Sequence, residues 1–157
     1  MRSRRISYGA TRTHSMNSRS EPGPRRLGMR TVVVIHEMLL AEHCGVEGVR
    51  DVELLDDSLS SIRFQYLGGP ADILNVAAAT AHALLRNRPF NDANKRLALA
   101  LSGVFLELNG LRLIATEPDT VLAIAALEDG TLSESDFAKW LRISCQNYRR
   151  PPSTTPL

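Results

Sequence analysis

The chain has 157 residues, of which 43% are apolar and 5% aromatic, and its formal net charge is +2. This length allows one domain with a substantial core and is too short for two. No apolar run approaches the roughly 20 residues that a membrane-spanning helix needs, so no membrane span is expected. Cys44 and Cys145 lie far apart without metal-ligand spacing around them, which predicts two free thiols in a cytoplasmic protein.

The charge is distributed unevenly along the chain. Residues 1–30 hold eight arginines and one acidic residue, a net charge of +7, whereas residues 31–157 carry −5. The acidic remainder gives no electrostatic support for nucleic-acid binding by the folded part. We interpret residues 1–28 as a disordered basic extension, or as the result of a mis-assigned start codon, with Met16 or Met29 as the true first residue. Contact of this arm with nucleic acid ranks below both interpretations.

Apolar residues at helical spacing predict most of the domain, which we place at residues 29–147. Helical patterns cover residues 31–42, 52–60, 71–87 and 94–109. Between the second and third of these, residues 62–69 alternate apolar and polar side chains and end in two glycines, which predicts a hairpin or an extended flap. Residues 148–157 are rich in proline and predict a loose tail.

The last third of the domain carries recognisable helix starts. Residues 111–114 fit a short strand. Pro118 at a first helical turn predicts a helix over residues 119–127, and Ser133 is placed to cap a last helix. The whole pattern predicts an all-α protein with five to six helices packed around one very apolar central pair, and at most a small β element.

A polar loop at residues 88–96, with the sequence RPFNDANKR, separates the two most apolar helices. Lys95 and Arg96 fall on the first turn of the second helix, where the helix dipole disfavours positive charge. The simplest compensation is a bound phosphate, held by both cations and by the free backbone N–H groups of the turn. The loop therefore predicts a phosphate-binding site, with a solvated charge pair as the alternative.

Other residues of the loop have structural roles open to them as well. Asp92 directly precedes the helix and could be its N-cap, or it could hold Mg²⁺ against the phosphates of a nucleotide. On local chemistry alone the N-cap is the better interpretation. Asn94 could similarly cap the helix or donate to an anion, and Phe90 most simply anchors the loop in the core.

The loop resembles the signature of the Fic/Doc superfamily, His-x-Phe-x-Asp/Asn-Ala/Gly-Asn-Lys/Gly-Arg, and its Asn-Lys-Arg ending is typical of the Doc (death-on-curing) type. Further segments match the Doc pattern in the right order, namely GVRD at 48–51, GG at 68–69, VFLELNG at 104–110 and AKWL at 138–141. The resemblance covers roughly residues 31–143. It implies the Fic helical core with a small flap at residues 62–69 that aligns a target chain.

The resemblance also implies an activity and partners. Asp92 would be the Mg²⁺ ligand, and Asn94, Lys95 and Arg96 would hold the phosphates of ATP or another nucleotide. Doc proteins are toxins that phosphorylate elongation factor Tu and arrest translation, whereas many other Fic proteins transfer AMP to a hydroxyl group. A Phd-like antitoxin would bind the toxin, and nucleic-acid contact would come through that antitoxin or, ranked below it, the basic arm.

Arg88 departs from the family pattern, because it stands at the position of the catalytic histidine. A general base needs a neutral form near working pH, and a guanidinium group stays protonated there. We therefore expect a Doc-type toxin that binds nucleotide but transfers little, which leaves its status as an enzyme open. The alternative is a pseudoenzyme that binds nucleotide or antitoxin and has a regulatory role. The sequence does not separate a natural Arg88 from an engineered one.

Overall fold

The structure, a computed structural model, describes residues 25–65 and 73–149, of which residues 60–65 are described only as backbone. Within these ranges the chain forms six helices: α1 (Met29–His43), α2 (Val52–Gln65), α3 (Ile73–Asn87), α4 (Asn94–Leu108), α5 (Glu117–Asp129) and α6 (Glu134–Ser144). Two short strands, β1 (Leu111–Leu113) and β2 (Cys145–Asn147), pair in antiparallel fashion. The predicted all-α class with a small β element is confirmed.

Helix α3 lies at the centre of the fold because it is apolar on nearly every face. Ten of its fifteen residues are buried, and five of those ten are alanines. Such small side chains allow close approach, and α3 packs against α2, α4 and α6. The opposite wall of the core comes from α4, whose Leu97, Leu101 and Phe105 are fully or almost fully buried. The loop that joins α3 to α4 is therefore held between two well-packed helices.

The starts of the last two helices follow the signals in the sequence. The Ser133 hydroxyl accepts a hydrogen bond from the Asp136 N–H at 3.1 Å, so the predicted cap of α6 is confirmed. Helix α5 begins slightly earlier than expected, since the Thr116 hydroxyl accepts from the Asp119 N–H and Pro118 lies in the first turn. These caps satisfy backbone donors that would otherwise lack partners at the helix ends.

Helix α2 differs from the sequence prediction. It continues to Gln65, so residues 62–65 are helical, and the hairpin or extended conformation expected to begin there is wrong over those four residues. The remainder of that segment, residues 66–69, lies outside the described residues. The alternation of apolar and polar side chains was too short to distinguish a strand from one turn of a helix.

Both ends of the described chain extend the domain beyond its predicted limits. Leu27 is buried in the core, and Arg25 exchanges two hydrogen bonds with Asn109, at 2.7 and 3.1 Å. Residues 25–28, assigned above to the basic extension, are thus part of the fold. Strand β2 was not predicted, and after it the Tyr148 N–H donates to the Gly110 carbonyl at 2.7 Å. No helix in residues 25–65 and 73–149 has the length and apolar character needed to cross a bilayer.

Candidate functional site

The loop at residues 88–96 lines an open cavity of about 640 Å³ between the end of α3 and the start of α4. All five residues singled out from the sequence line this one cavity, namely Arg88, Asp92, Asn94, Lys95 and Arg96. Two further charged residues, Arg50 from the segment before α2 and Glu128 from α5, line it as well. The structure thus brings the predicted site residues together and adds two that the sequence did not indicate.

Phe90 and His36 anchor the loop to the core. Phe90 is 1% exposed, as expected for a core anchor, and its ring stacks on that of His36 with the centroids 4.0 Å apart. His36, on α1, is also 1% exposed, and its Nε2 donates to the Asp92 carbonyl at 3.0 Å. A carbonyl oxygen can only accept, so this contact assigns the proton to Nε2. His36 therefore fixes the backbone of Asp92 from beneath the loop.

The segment that precedes α2 holds the other side of the loop. Val49 forms an isolated antiparallel bridge with Phe90, and the Asn91 N–H donates to the Gly48 carbonyl at 3.1 Å. The Asn91 side-chain amide donates to the Glu47 carbonyl at 2.8 Å. A glycine suits position 48 because its φ of +104° lies where other residues are strained. The loop is thus supported by backbone contacts that do not depend on a ligand.

Arg50 supports the loop, because its guanidinium group is hydrogen-bonded to backbone carbonyls. Its guanidinium donates to the Asn87 carbonyl at 2.8 Å and to the Arg88 carbonyl at 2.6 and 2.8 Å. A cation at the end of α3 is favoured by the helix dipole and satisfies carbonyls that lack helical partners. We infer that Arg50 fixes the chain reversal at Arg88, whose φ is +45°.

Asp92 presents an ionised carboxylate to the cavity. Its oxygens accept from the Ala93 N–H at 2.6 Å and from the Val46 N–H at 3.3 Å. These two backbone donors, Ala93 first, hold the pKa of Asp92 below its ordinary value of 3.8, and the charge of Arg96 acts in the same direction. Asp92 is not the N-cap of α4, so that interpretation is wrong. The capping position is Ala93, at a left-handed φ of +59° without a side-chain hydrogen bond, and this backbone reversal turns the carboxylate away from the N–H groups of the helix.

Gly45 leaves room for this carboxylate. A Cβ atom at position 45 would lie 2.8 Å from Asp92 Oδ2 and 2.7 Å from Leu40 Cδ2, closer than real Cβ contacts. Because both distances are too short, both side chains would have to shift if any other residue replaced the glycine. Gly45 is therefore part of the site, although nothing in its local sequence indicates contact with a residue so far along the chain.

The residues around Asp92 fit a magnesium ion shared with a ligand. Mg²⁺ in nucleotide sites is bound by one or two carboxylates, with phosphates and waters as the remaining ligands, and Asp92 supplies one exposed, ionised carboxylate. Residues 25–65 and 73–149 contain no cluster of three or more acidic, histidine or cysteine side chains that could hold a metal ion without the ligand. When bound, such an ion would neutralise negative charge on the phosphates.

Asn94 closes the loop on itself. Its Nδ2 donates to the Phe90 carbonyl at 3.0 Å and its Oδ1 accepts from the Phe90 N–H at 3.1 Å. The amide therefore satisfies the loop backbone rather than capping the N–H groups of α4. One amide hydrogen of Asn94 has no partner in the described ranges and stays available to an anion. The phosphate role predicted for Asn94 would rest on that single donor.

The three cations of the loop have different surroundings. Lys95 Nζ lies 2.5 Å from Glu128 Oε2, and Arg88 Nη2 lies 3.0 Å from Glu128 Oε1. Arg96 makes no side-chain hydrogen bond or ion pair with the described part of the chain, although its charge acts on Asp92. Glu128 was missed in the sequence, since it lies 40 residues beyond Arg88 and has the appearance of an ordinary surface acid.

No histidine among the described residues lines the cavity to replace the one that the family motif has at position 88. His82, the nearest along the chain, pairs through Nδ1 with Glu134 Oε2 at 2.8 Å, on the side of α3 that faces α6. His36 is buried beneath the loop. Within the described residues the site accordingly offers cations, the exposed carboxylate of Asp92 and helix N–H groups, but no imidazole that could accept a proton from a substrate.

The helical domain, with the cations of the 88–96 loop at the start of α4, indicates a candidate phosphate-binding protein. The family model described as Fic/DOC family matches residues 27–106, more than half of the chain, and the chain belongs to this family. It is also similar to the protein kinase doc of Escherichia phage P1, with 26% identity over 119 residues that cover 75% of this chain and 94% of that protein. The resemblance to the Doc type is confirmed.

Proposed function

We propose that this protein is a Doc-type toxin of a toxin–antitoxin pair, which binds ATP–Mg²⁺ at the 88–96 loop and in which Arg88 impairs group transfer. The observation that carries the proposal is the meeting of ionised Asp92 with Lys95 and Arg96 around one cavity. The similarity to a protein kinase supports phosphate transfer to a protein hydroxyl as the ancestral reaction.

Phosphate binding follows from the charges and donors at the start of α4. Lys95 and Arg96 would contact phosphate oxygens together with the unpaired N–H groups of the first turn, where the helix dipole favours an anion. Asp92 would hold the Mg²⁺ that accompanies the nucleotide. Asn94 and His36 would keep the loop in the conformation that aligns these groups, because both are hydrogen-bonded to its backbone.

The missing step is removal of a proton from the target hydroxyl. A positioned general base contributes about 10²–10⁴-fold to the rate of such a reaction. Arg88 is protonated and bound to Glu128, so it cannot accept that proton. We therefore expect transfer of phosphate or AMP, to a translation factor such as elongation factor Tu, to be slower by about that factor.

A pseudoenzyme is the second candidate function. It is favoured by the one observation that Arg88 is held in an ion pair with Glu128 while the cations of the loop and Asp92 are retained. Such a protein would bind nucleotide or a Phd-like antitoxin and regulate another protein without transferring a group. The toxin and a nucleotide-binding pseudoenzyme both predict ATP–Mg²⁺ binding, so restoration of the base is needed to separate them.

The separating experiment replaces Arg88 by histidine, with Arg88→Gln as a control that removes the charge without supplying a base. Purified proteins are incubated with elongation factor Tu and with lysate, using ATP labelled on either the α- or the γ-phosphate. We expect Arg88→His alone to label a protein, at a rate about 10²-fold or more above the unmutated chain, and to arrest growth on induction.

Calorimetry with ATP–Mg²⁺ completes the test. Binding that is lost in Lys95→Ala/Arg96→Ala, together with no labelling and normal growth for Arg88→His, would reject the toxin and leave the pseudoenzyme. Absence of any ATP–Mg²⁺ binding by the unmutated chain would reject the nucleotide site in both candidate functions.

A further inference from the structure

A single carboxylate bridges two cations of the loop. Glu128 lies in the last turn of α5, and its side chain is 22% exposed, whereas those of Arg88 and Lys95 are 62% and 48% exposed. Oxygen Oε1 contacts Arg88 Nη2 at 3.0 Å and oxygen Oε2 contacts Lys95 Nζ at 2.5 Å. Each oxygen of Glu128 therefore serves one cation, in the way that two oxygens of one phosphoryl group would serve them.

The dipoles of both helices explain why these charges meet. Lys95 lies at the N-terminus of α4, whose first turn has no acidic residue, and Glu128 lies at the C-terminus of α5, whose last turn has no basic residue. Each charge is thus at the unfavourable end of its own helix, and the ion pair compensates for both. The compensation that the sequence attributed to a bound phosphate is supplied here by a carboxylate of the same chain.

We propose that Glu128 occupies the position of a phosphoryl group of the ligand and determines which anions can enter. A phosphate group must displace this carboxylate to reach Arg88 and Lys95, and its greater negative charge allows it to do so, whereas a singly charged carboxylate ligand gains nothing by the exchange. This inference rests on the proposed phosphate-binding function and names a specificity-determining residue for it. Displacement of the Glu128 carboxylate would raise the net positive charge of the cavity by one, and this charge would attract the phosphate group.

Asp129 shows that the bridge is specific to position 128. Its carboxylate accepts from the Thr131 N–H at 2.9 Å and from the Thr131 hydroxyl at 2.6 Å. These hydrogen bonds, the hydroxyl first, lower the pKa of Asp129, and Lys95 acts on it only through its charge. Asp129 is therefore an acidic neighbour on the same helix end that makes no direct contact with the cations, which makes it a matched control.

The test compares Glu128→Gln and Glu128→Ala with Asp129→Asn in the full chain, each checked for folding by its urea midpoint. Titration calorimetry measures the affinity for ATP–Mg²⁺, inorganic phosphate and acetate. Both Glu128 variants lose the two partly exposed ion pairs with Arg88 and Lys95, which a ligand must otherwise break. They should therefore bind ATP–Mg²⁺ and phosphate about tenfold more tightly. Asp129→Asn should change neither affinity more than about twofold, and the unmutated chain should bind acetate no better than the background.

The outcomes separate this inference from the nucleotide proposal. If the unmutated chain binds ATP–Mg²⁺ and the Glu128 variants bind it equally or more weakly, Glu128 is not a competitor, and the nucleotide site stands. If the variants gain affinity for inorganic phosphate while no protein binds ATP–Mg²⁺, the phosphoryl position is supported and the nucleotide proposal fails. If no variant binds either ligand, both are overturned.

Discussion

Replacement of His36 tests whether the support beneath the loop maintains the site. The imidazole is 1% exposed, stacks on Phe90 at 4.0 Å and donates to the Asp92 carbonyl at 3.0 Å. His36→Phe keeps an aromatic ring against Phe90 but removes the donor. His36→Ala removes the ring as well and leaves a cavity between α1 and the loop.

The two substitutions should differ in magnitude. Loss of the hydrogen bond alone costs about 1 kcal/mol of the free energy of unfolding, so we expect roughly that for His36→Phe. His36→Ala also loses the aromatic contact, worth about 1 kcal/mol, together with buried area, for a total of about 3 kcal/mol. The first variant should nevertheless weaken ATP–Mg²⁺ binding, because the backbone that carries the Asp92 carboxylate is no longer fixed.

Urea unfolding followed by circular dichroism measures the stability differences, provided that the dependence on urea concentration is unchanged. Calorimetry measures the affinity for ATP–Mg²⁺. Leu141→Ala on α6 is the control, since it removes a side chain that is 1% exposed and lies outside the cavity lining, at a cost of about 2–5 kcal/mol. The reasoning is refuted if His36→Phe matches the unmutated chain in both measurements, or if Leu141→Ala weakens binding equally.

Two further predictions concern the backbone and the thiols. Ala93→Gly should raise the free energy of unfolding by about 0.5 kcal/mol, because relief of the strained left-handed conformation outweighs the added entropy of the unfolded chain. Ala100→Gly within α4 is the control and should lower the free energy of unfolding by about 1 kcal/mol; equal losses in urea unfolding would contradict this prediction. Cys44 is exposed, whereas burial raises the pKa of Cys145. Iodoacetamide at pH 8 should therefore modify Cys44 first, as measured by peptide mass spectrometry, and the reverse order would be inconsistent with the fold.

The sequence predicted the features that depend on local chemistry. Apolar spacing identified the helices that became α1, α3 and α4, and the Ser133 cap and Pro118 marked the starts of α6 and α5. The loop was recognisable because two cations at a helix start conflict with the helix dipole. Each of these signals lies within about one helical turn of the feature that it specifies.

Features that depend on residues far apart in the chain were missed. The N-cap interpretation of Asp92 failed because the left-handed backbone at Ala93 is a property of the folded loop, which Val46 and His36 hold in place from more than 40 residues away. Glu128 gave no signal, since an acidic residue near a helix end looks the same whether it faces solvent or a cation. Strand β2 has only three residues and forms only because β1 is beside it.

The close approach of Gly45 to Asp92 has a consequence for how relatives of this protein are judged. A chain can keep all nine residues of the loop and still have a displaced Asp92 carboxylate, if position 45 carries a side chain that overlaps with Asp92 Oδ2. The position of the carboxylate in the candidate site therefore depends on a residue that the loop motif does not include. Surveys that sort active from inactive members by the motif alone would count such a chain as intact, whereas inspection of this glycine would identify it.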